Sequence, residues 1–126
     1  MYLTQSEMEI MQAYWTAEKE MSLAELIEAS PNRCWKDRSG FSIINSLIKK
    51  GLLKEVGYTH SGKTIARTFA PEVSCTEYMM EELMQYEGKI SLPQLVSGII
   101  GTGKVDADEI EELDRLVKEK KKEIGK

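Results

Sequence analysis

The stretch Trp35–Leu53, W-K-D-R-S-G-F-S-I-I-N-S-L-I-K-K-G-L-L, constrains the rest of the chain more than any other. Phe41, Ile44, Leu47 and Ile48 recur at three- and four-residue spacing, which gathers them into one apolar stripe of a helix. That helix is expected over Asp37–Lys50. Asp37 can accept the orphan backbone N–H groups of the first turn. Lys49 and Lys50 suit the negative end of the macrodipole in the last turn. Gly51 can take the left-handed conformation that ends a helix. The opposite side carries Arg38, Ser39, Ser42, Asn45 and Ser46, donors and acceptors with few carboxylates among them. A helix that is apolar behind and polar but not acidic in front has the character of one that lies in a DNA major groove.

The chain has 126 residues, enough for one ordinary domain or two very small ones. No apolar run approaches the ~18 residues of a membrane span. The N-terminus, M-Y-L-T-Q-S-E-M-E-I, has no basic n-region and is not read as a signal peptide. Cys34 and Cys75 are far apart and His60 is the single histidine, so neither a metal-ligand set nor a cofactor is expected. A reduced, cytoplasmic protein is the simplest expectation. There is no G-x-S-x-G, no phosphate-cradling glycine loop and no Ser-His-Asp set, and an enzyme is not expected.

The net charge of −4 argues against a nucleic-acid partner until its distribution is considered. Met1–Asn32 holds one base and six acids, and Thr68–Lys126 holds eight bases and thirteen acids. Between them, Arg33–Arg67 holds eight bases and two acids. The positive charge is therefore confined to the proposed helix and the segment after it. Such a patch is either a footprint of phosphate contact or a solvated face.

Thr4 opens a first helix with a capping box, T-Q-S-E, and Ser22 opens a second with S-L-A-E. With the Asp37–Lys50 helix these make a helix-turn-helix arrangement. After Gly51 the period changes: Leu53, Val56 and Tyr58 lie in an extended run, Thr59–Lys63 reads as a turn, and Thr64–Phe69 alternates as a second strand. A hairpin directly after a helix-turn-helix is a wing, here at about residues 58–66, with His60, Ser61 and Lys63 at its tip. The fold class is thus mainly α with a small β-hairpin (α+β), with a winged-helix domain over residues 1–71. Residues 72–126 read as three helices, and the tail from Lys118 is expected to fray. Their stripes (Tyr78 and Leu83; Leu92, Leu95, Val96 and Ile99; Ile110, Leu113, Leu116 and Val117) are too few for a sizeable core. Pairing with a second copy across a two-fold axis would bury them, as would folding back on the N-terminal domain; a homodimer is the more economical solution.

The chain resembles the penicillinase repressor family (the BlaI/MecI/CopY group) over nearly its whole length. The resemblance rests on L-T-Q-S-E-M-E-I-M-Q-A-Y-W at Leu3–Trp15, Trp35 and the helix ending L-I-K-K-G-L at Leu47–Leu52, and A-R-T-F-A-P at Ala66–Pro71. It continues through Glu77-Tyr78, S-L-P-Q-L-V at Ser91–Val96 and D-E-I-E-E-L at Asp108–Leu113. It implies a homodimeric repressor of a palindromic operator, with a winged-helix domain and a three-helix dimerisation domain. By position, Arg38, Ser39, Ser42 and Asn45 would read bases, and Lys50 and Lys63 would meet phosphates. The surrounding Lys36, Ser46, His60, Ser61 and Arg67 join them as expected backbone contacts. A regulatory protease or sensor system is a further partner that the resemblance raises.

Three departures from the family pattern stand out. Phe41 replaces a usual Lys or Arg, Ser46 replaces a frequent Arg, and Gly40 replaces a β-branched residue in mid-helix, at a cost of about 1 kcal/mol relative to Ala. The bond cleaved in antibiotic-responsive members corresponds to Gly98-Ile99. The cysteine motif of copper-responsive members is missing from the tail. Two readings follow: a DNA-binding repressor, or a winged-helix module that has lost specific DNA binding and works through protein contact. Phe41 discriminates between them. On the apolar side it leaves the outer face free for a groove; projecting outward it makes a patch suited to protein contact.

Overall fold

Reciprocal capping boxes start the first two helices of the computed structural model, which describes residues 2–125, with the side chain of Ser61 outside the description. Thr4 accepts from the Glu7 N–H and Glu7 accepts from the Thr4 N–H ahead of α1 (Gln5–Ala17); Ser22 and Glu25 do the same ahead of α2 (Leu23–Ala29). Between the two helices Met21–Ser22 form a two-residue strand, β1, which the sequence pattern did not suggest. Ile10, Met11 and Tyr14 of α1 and Leu26 of α2 are fully buried, and the Tyr14 hydroxyl donates to the Met21 carbonyl at 3.0 Å.

The helix expected over Asp37–Lys50 is divided. Asp37–Ser39 form a turn of 3-10 helix and α3 runs Gly40–Lys49. Asp37 does not cap it: the carboxylate is taken by the Arg33 guanidinium, and Ser39 at the N-cap makes no side-chain capping bond. Gly40 is therefore the first residue of α3, not a mid-helix residue, and it is buried. A Cβ there would lie 2.5 Å from Cδ1 of Leu23, so the glycine lets α3 start against α2. Ile44 and Leu47 are fully buried, as the stripe requires, but Phe41 is 46% exposed and stands outside it. At the far end Gly51 has φ +78°, its N–H donates to the Ile48 carbonyl and the Leu52 N–H donates to the Leu47 carbonyl. That pair of bonds is a Schellman motif, the ending expected of a glycine after the last helical residue.

Strands β2 (Leu53–Ser61) and β3 (Thr64–Pro71) pair antiparallel, and β3 also pairs with β1, so the sheet has three strands in the order β1-β3-β2. The hairpin is tighter than the expected Thr59–Lys63 turn. The strands continue to the Ser61–Thr64 pair, leaving Gly62-Lys63 as the loop, with Gly62 at φ +64°, the positive φ that two-residue hairpin turns demand. A bulge at Val56, between the Glu55–Phe69 and Gly57–Thr68 pairs, shifts the register by one. From there Tyr58 faces Arg67 and His60 faces Ile65 across the ladder.

Three more helices follow, α4 (Cys75–Met84), α5 (Leu92–Gly101) and α6 (Ala107–Ile124). Ser74 and Glu77 form a capping box on α4, as Asp106 and Glu109 do on α6. The C-terminal tail does not fray from Lys118 but stays helical to Ile124, supported by Lys118–Asp114, Arg115–Glu119 and Lys120–Glu123 pairs at helical spacing. The chain forms two compact units, residues 1–85 and 86–126. α4 belongs to the first: the Tyr78 ring lies 5.6 Å from that of Trp15, whose indole N–H donates to the Val73 carbonyl at 3.0 Å. In the second unit no described residue is buried; Leu95, Val96 and Val105 are half-buried and the rest are exposed.

Candidate nucleic-acid interface

The outward side of α3 and the turn before it present Arg38, Phe41, Ser42, Asn45 and Lys49, all exposed, with Ser39 half-buried beside them. Arg38, Ser42, Asn45 and Lys49 follow one another at three- and four-residue steps, which sets them along one face. Ser39 and Arg38 belong to the 3-10 turn, so they stand at the N-terminal end of this face, the end that enters a groove first in a helix-turn-helix.

The charge of this region is simplified by its own ion pairs. Between Arg33 and Arg67 the two acids are Asp37 and Glu55. Arg33 neutralises Asp37, and Arg67 lies 3.3 Å from Glu55. Lys50 is used elsewhere: its Nζ lies 2.8 Å from the Glu7 carboxylate of α1 and also donates to the Tyr2 carbonyl. Lys36, Arg38, Lys49, Lys54 and Lys63 remain, all exposed, with no ion pair or side-chain hydrogen bond among the described residues. A group of unpaired cations with no free carboxylate between them is an anion-seeking surface.

Glu7 explains two differences from the expected phosphate contacts. It is 3% exposed, and its carboxylate accepts from Lys50, from the Ser46 hydroxyl at 2.8 Å and from the Thr4 N–H at 2.9 Å. Burial raises its pKa, but the hydrogen bonds from Lys50, Thr4 and Ser46 outweigh burial and lower it to about 2. Lys50 and Ser46 thus hold a buried carboxylate that ties α1 to the end of α3. Arg67 is likewise engaged, with Glu55 and with two rings: its guanidinium carbon is 5.4 Å from the Phe41 centroid and 5.5 Å from that of Phe69. Lys36 is exposed ahead of the 3-10 turn, His60 is exposed on β2, and Lys63 stands in the hairpin loop; the Ser61 side chain lies outside the described residues. Trp35 is buried, 6% exposed, with the Arg33 guanidinium over its ring at 5.3 Å.

Sequence reasoning passed over Lys49 and Lys54 as anion contacts. Lys49 is four residues beyond Asn45 and seven beyond Ser42, a spacing that marks it as part of the outer face. Lys54 has no such signal: it lies near the start of β2, paired with Ala70, ahead of the bulge at Val56.

The residues expected at a dimer interface separate into two groups. Tyr78 is buried within the first unit against Trp15, and Leu83 is half-buried on α4. In the second unit Leu92, Ile99, Ile110, Leu113, Leu116 and Val117 are exposed, and Leu95 and Val96 are half-buried. An open, mostly apolar cleft between α5 and α6 is lined by Val96, Ile99, Ile100, Val105 and Leu113, together with Glu109 and Glu112. The Gly98-Ile99 bond lies inside α5.

Cys34 and Cys75 are free thiols, and no group of three His, Cys, Asp or Glu among the described residues could hold a metal ion. Among those residues no helix is long and apolar enough to cross a membrane.

Comparison with known proteins adds one decisive match. A family model described as Penicillinase repressor matches residues 3–119. No curated protein sequence matches significantly. Among similar solved structures are two of the Adhesin competence repressor (AdcR) from Streptococcus pyogenes. One is 16% identical with a TM-score of 0.43 and covers 97% of this chain and 80% of its own. The other, C-terminally His tagged, is 18% identical with a TM-score of 0.42 and covers 97% and 82%.

Proposed function

The chain belongs to the penicillinase repressor family of winged-helix transcriptional repressors, and from that premise we propose that it binds a palindromic DNA operator as a homodimer. Residues 1–71 bind the duplex, and residues 72–126 join the two copies through α5 and α6. The outer side of α3 enters the major groove, where Arg38, Ser39, Ser42 and Asn45 meet base edges. Lys36, Lys63 and His60 hold the sugar-phosphate backbone, with Lys49 and Lys54 added to them. Two copies set their α3 helices about one DNA turn apart, ~34 Å, or a multiple of it. Occupancy blocks transcription, and the protein acts in the cytoplasm. The role is one of binding, with no chemistry assigned to any side chain.

The observation that carries this reading is the pairing pattern between Arg33 and Arg67: both acids are neutralised, and five exposed cations are left without a partner among the described residues. The dimer rests on the apolar faces of α5 and α6, which their own unit leaves uncovered. Binding to random duplex DNA across a salt series tests the charge argument. Ten such cations per dimer predict a log–log slope steeper than about −5. A flat response would point to the second reading, a module that works through protein contact, which the 46% exposure of Phe41 favours.

A further inference from the structure

We infer that Phe41 is itself a base-reading side chain, one that recognises the 5-methyl group of a thymine, with Arg67 as the residue that positions its ring. The inference rests on the reading of α3 as the groove helix. Phe41 lies three residues after Arg38 and four before Asn45, which sets it on the edge of the same outer face. It is 46% exposed although its neighbours Ile44 and Leu47 are fully buried. Its ring is nonetheless not loose. Arg67 stands 5.4 Å from its centroid, is anchored 5.5 Å from the fully buried Phe69 ring, and is turned by Glu55 at 3.3 Å. Such an anchored planar cation gives the aromatic ring a fixed neighbour.

An ordered ring at the edge of a groove-facing surface needs an apolar counterpart. In the major groove the four base pairs offer one apolar group, the thymine methyl, and phenylalanine is among the side chains that contact it. A protein partner would instead need a contiguous apolar patch, whereas the other exposed residues of this face of α3 and the turn before it are Arg38, Ser42, Asn45 and Lys49. Tyr58 and Ile65 on the wing are exposed and would extend such a patch, so protein docking is the rival that a test must separate.

The probe is a duplex recovered from random DNA by selection with the full chain, remade with each thymine in turn replaced by deoxyuridine. That change removes one methyl and leaves every base-pairing and groove hydrogen bond. One position per half-site should then bind about fourfold more weakly, the worth of one buried carbon. Phe41→Ala should bind native and demethylated duplexes equally, while Asn45→Ala keeps the full penalty. Arg67→Lys, which retains charge but not the planar stack, should shrink the penalty and leave the salt slope unchanged. Enrichment of a site at which no uracil weakens binding would overturn the assignment and favour docking, and a penalty that persists in Phe41→Ala would overturn it in favour of another residue as the methyl reader. Failure to enrich any sequence would overturn the operator reading and this assignment with it.

Discussion

At Glu7 a carboxylate is kept out of water because three donors from two other parts of the chain converge on it. Its pKa of about 2 lies below the ordinary 4.5, so the interaction stabilises the fold fully above about pH 5 and is lost as pH falls towards 2. Urea midpoints measured from pH 5 to pH 2 should fall more steeply for the native chain than for Glu7→Gln, which has no carboxylate to titrate. Lys50→Ala should cost about 2 kcal/mol, less than for a fully buried pair because Lys50 is 31% exposed, and leave the salt slope of DNA binding intact. Lys49→Ala should do the reverse, with little loss of stability and a slope shallower by about 2 per dimer. Arg38→Ala should weaken operator binding and relax base preference, whereas Lys63→Ala should weaken binding to all sequences alike. Competition binding on specific and random duplexes separates those two. The pattern within α3 distinguished its outer residues from its inner ones except at Phe41, which the stripe placed inside and the structure leaves exposed, and no local spacing could show that Lys50 and Ser46 serve a carboxylate some forty residues away.

Most helix starts were written in local chemistry, and element partners were not. The capping boxes at Thr4, Ser22 and Asp106 are contained within four residues each, and the structure starts its helices there. β1 is two residues long and exists through its pairing with Phe69 and Thr68, so nothing in Met21-Ser22 alone could announce it. The same holds for the start of α3. Asp37 looks like a cap until Arg33, four residues earlier, takes its carboxylate, and Gly40 looks like a defect until Leu23 occupies the space beside it. Gly40→Val should destabilise the first unit by about 1–3 kcal/mol through overpacking. Combining it with Leu23→Ala should recover part of the loss, a non-additivity readable in a double-mutant cycle of urea midpoints.

Taken whole, the chain concentrates cations in the segment Arg33–Arg67 of its first unit and leaves the apolar stripes of its second uncovered. Family and winged-helix architecture were legible in the sequence because the motifs that carry them span the chain in order. The interface residues were legible only as far as each helix face could be read in isolation. If α5 and α6 join two copies, Leu113→Asp should place a charge in the joint and yield a species near 14.3 kDa in sedimentation, in place of one of twice that mass. The variant should also lose most of its affinity for long duplexes, since each subunit would then bind its half-site alone. Symmetry of the recognised DNA tests both units at once. Selection from random duplexes should return a palindrome whose half-site centres lie one helical turn, or a whole number of turns, apart. A single non-repeated site, or no enriched sequence at all, would contradict the account.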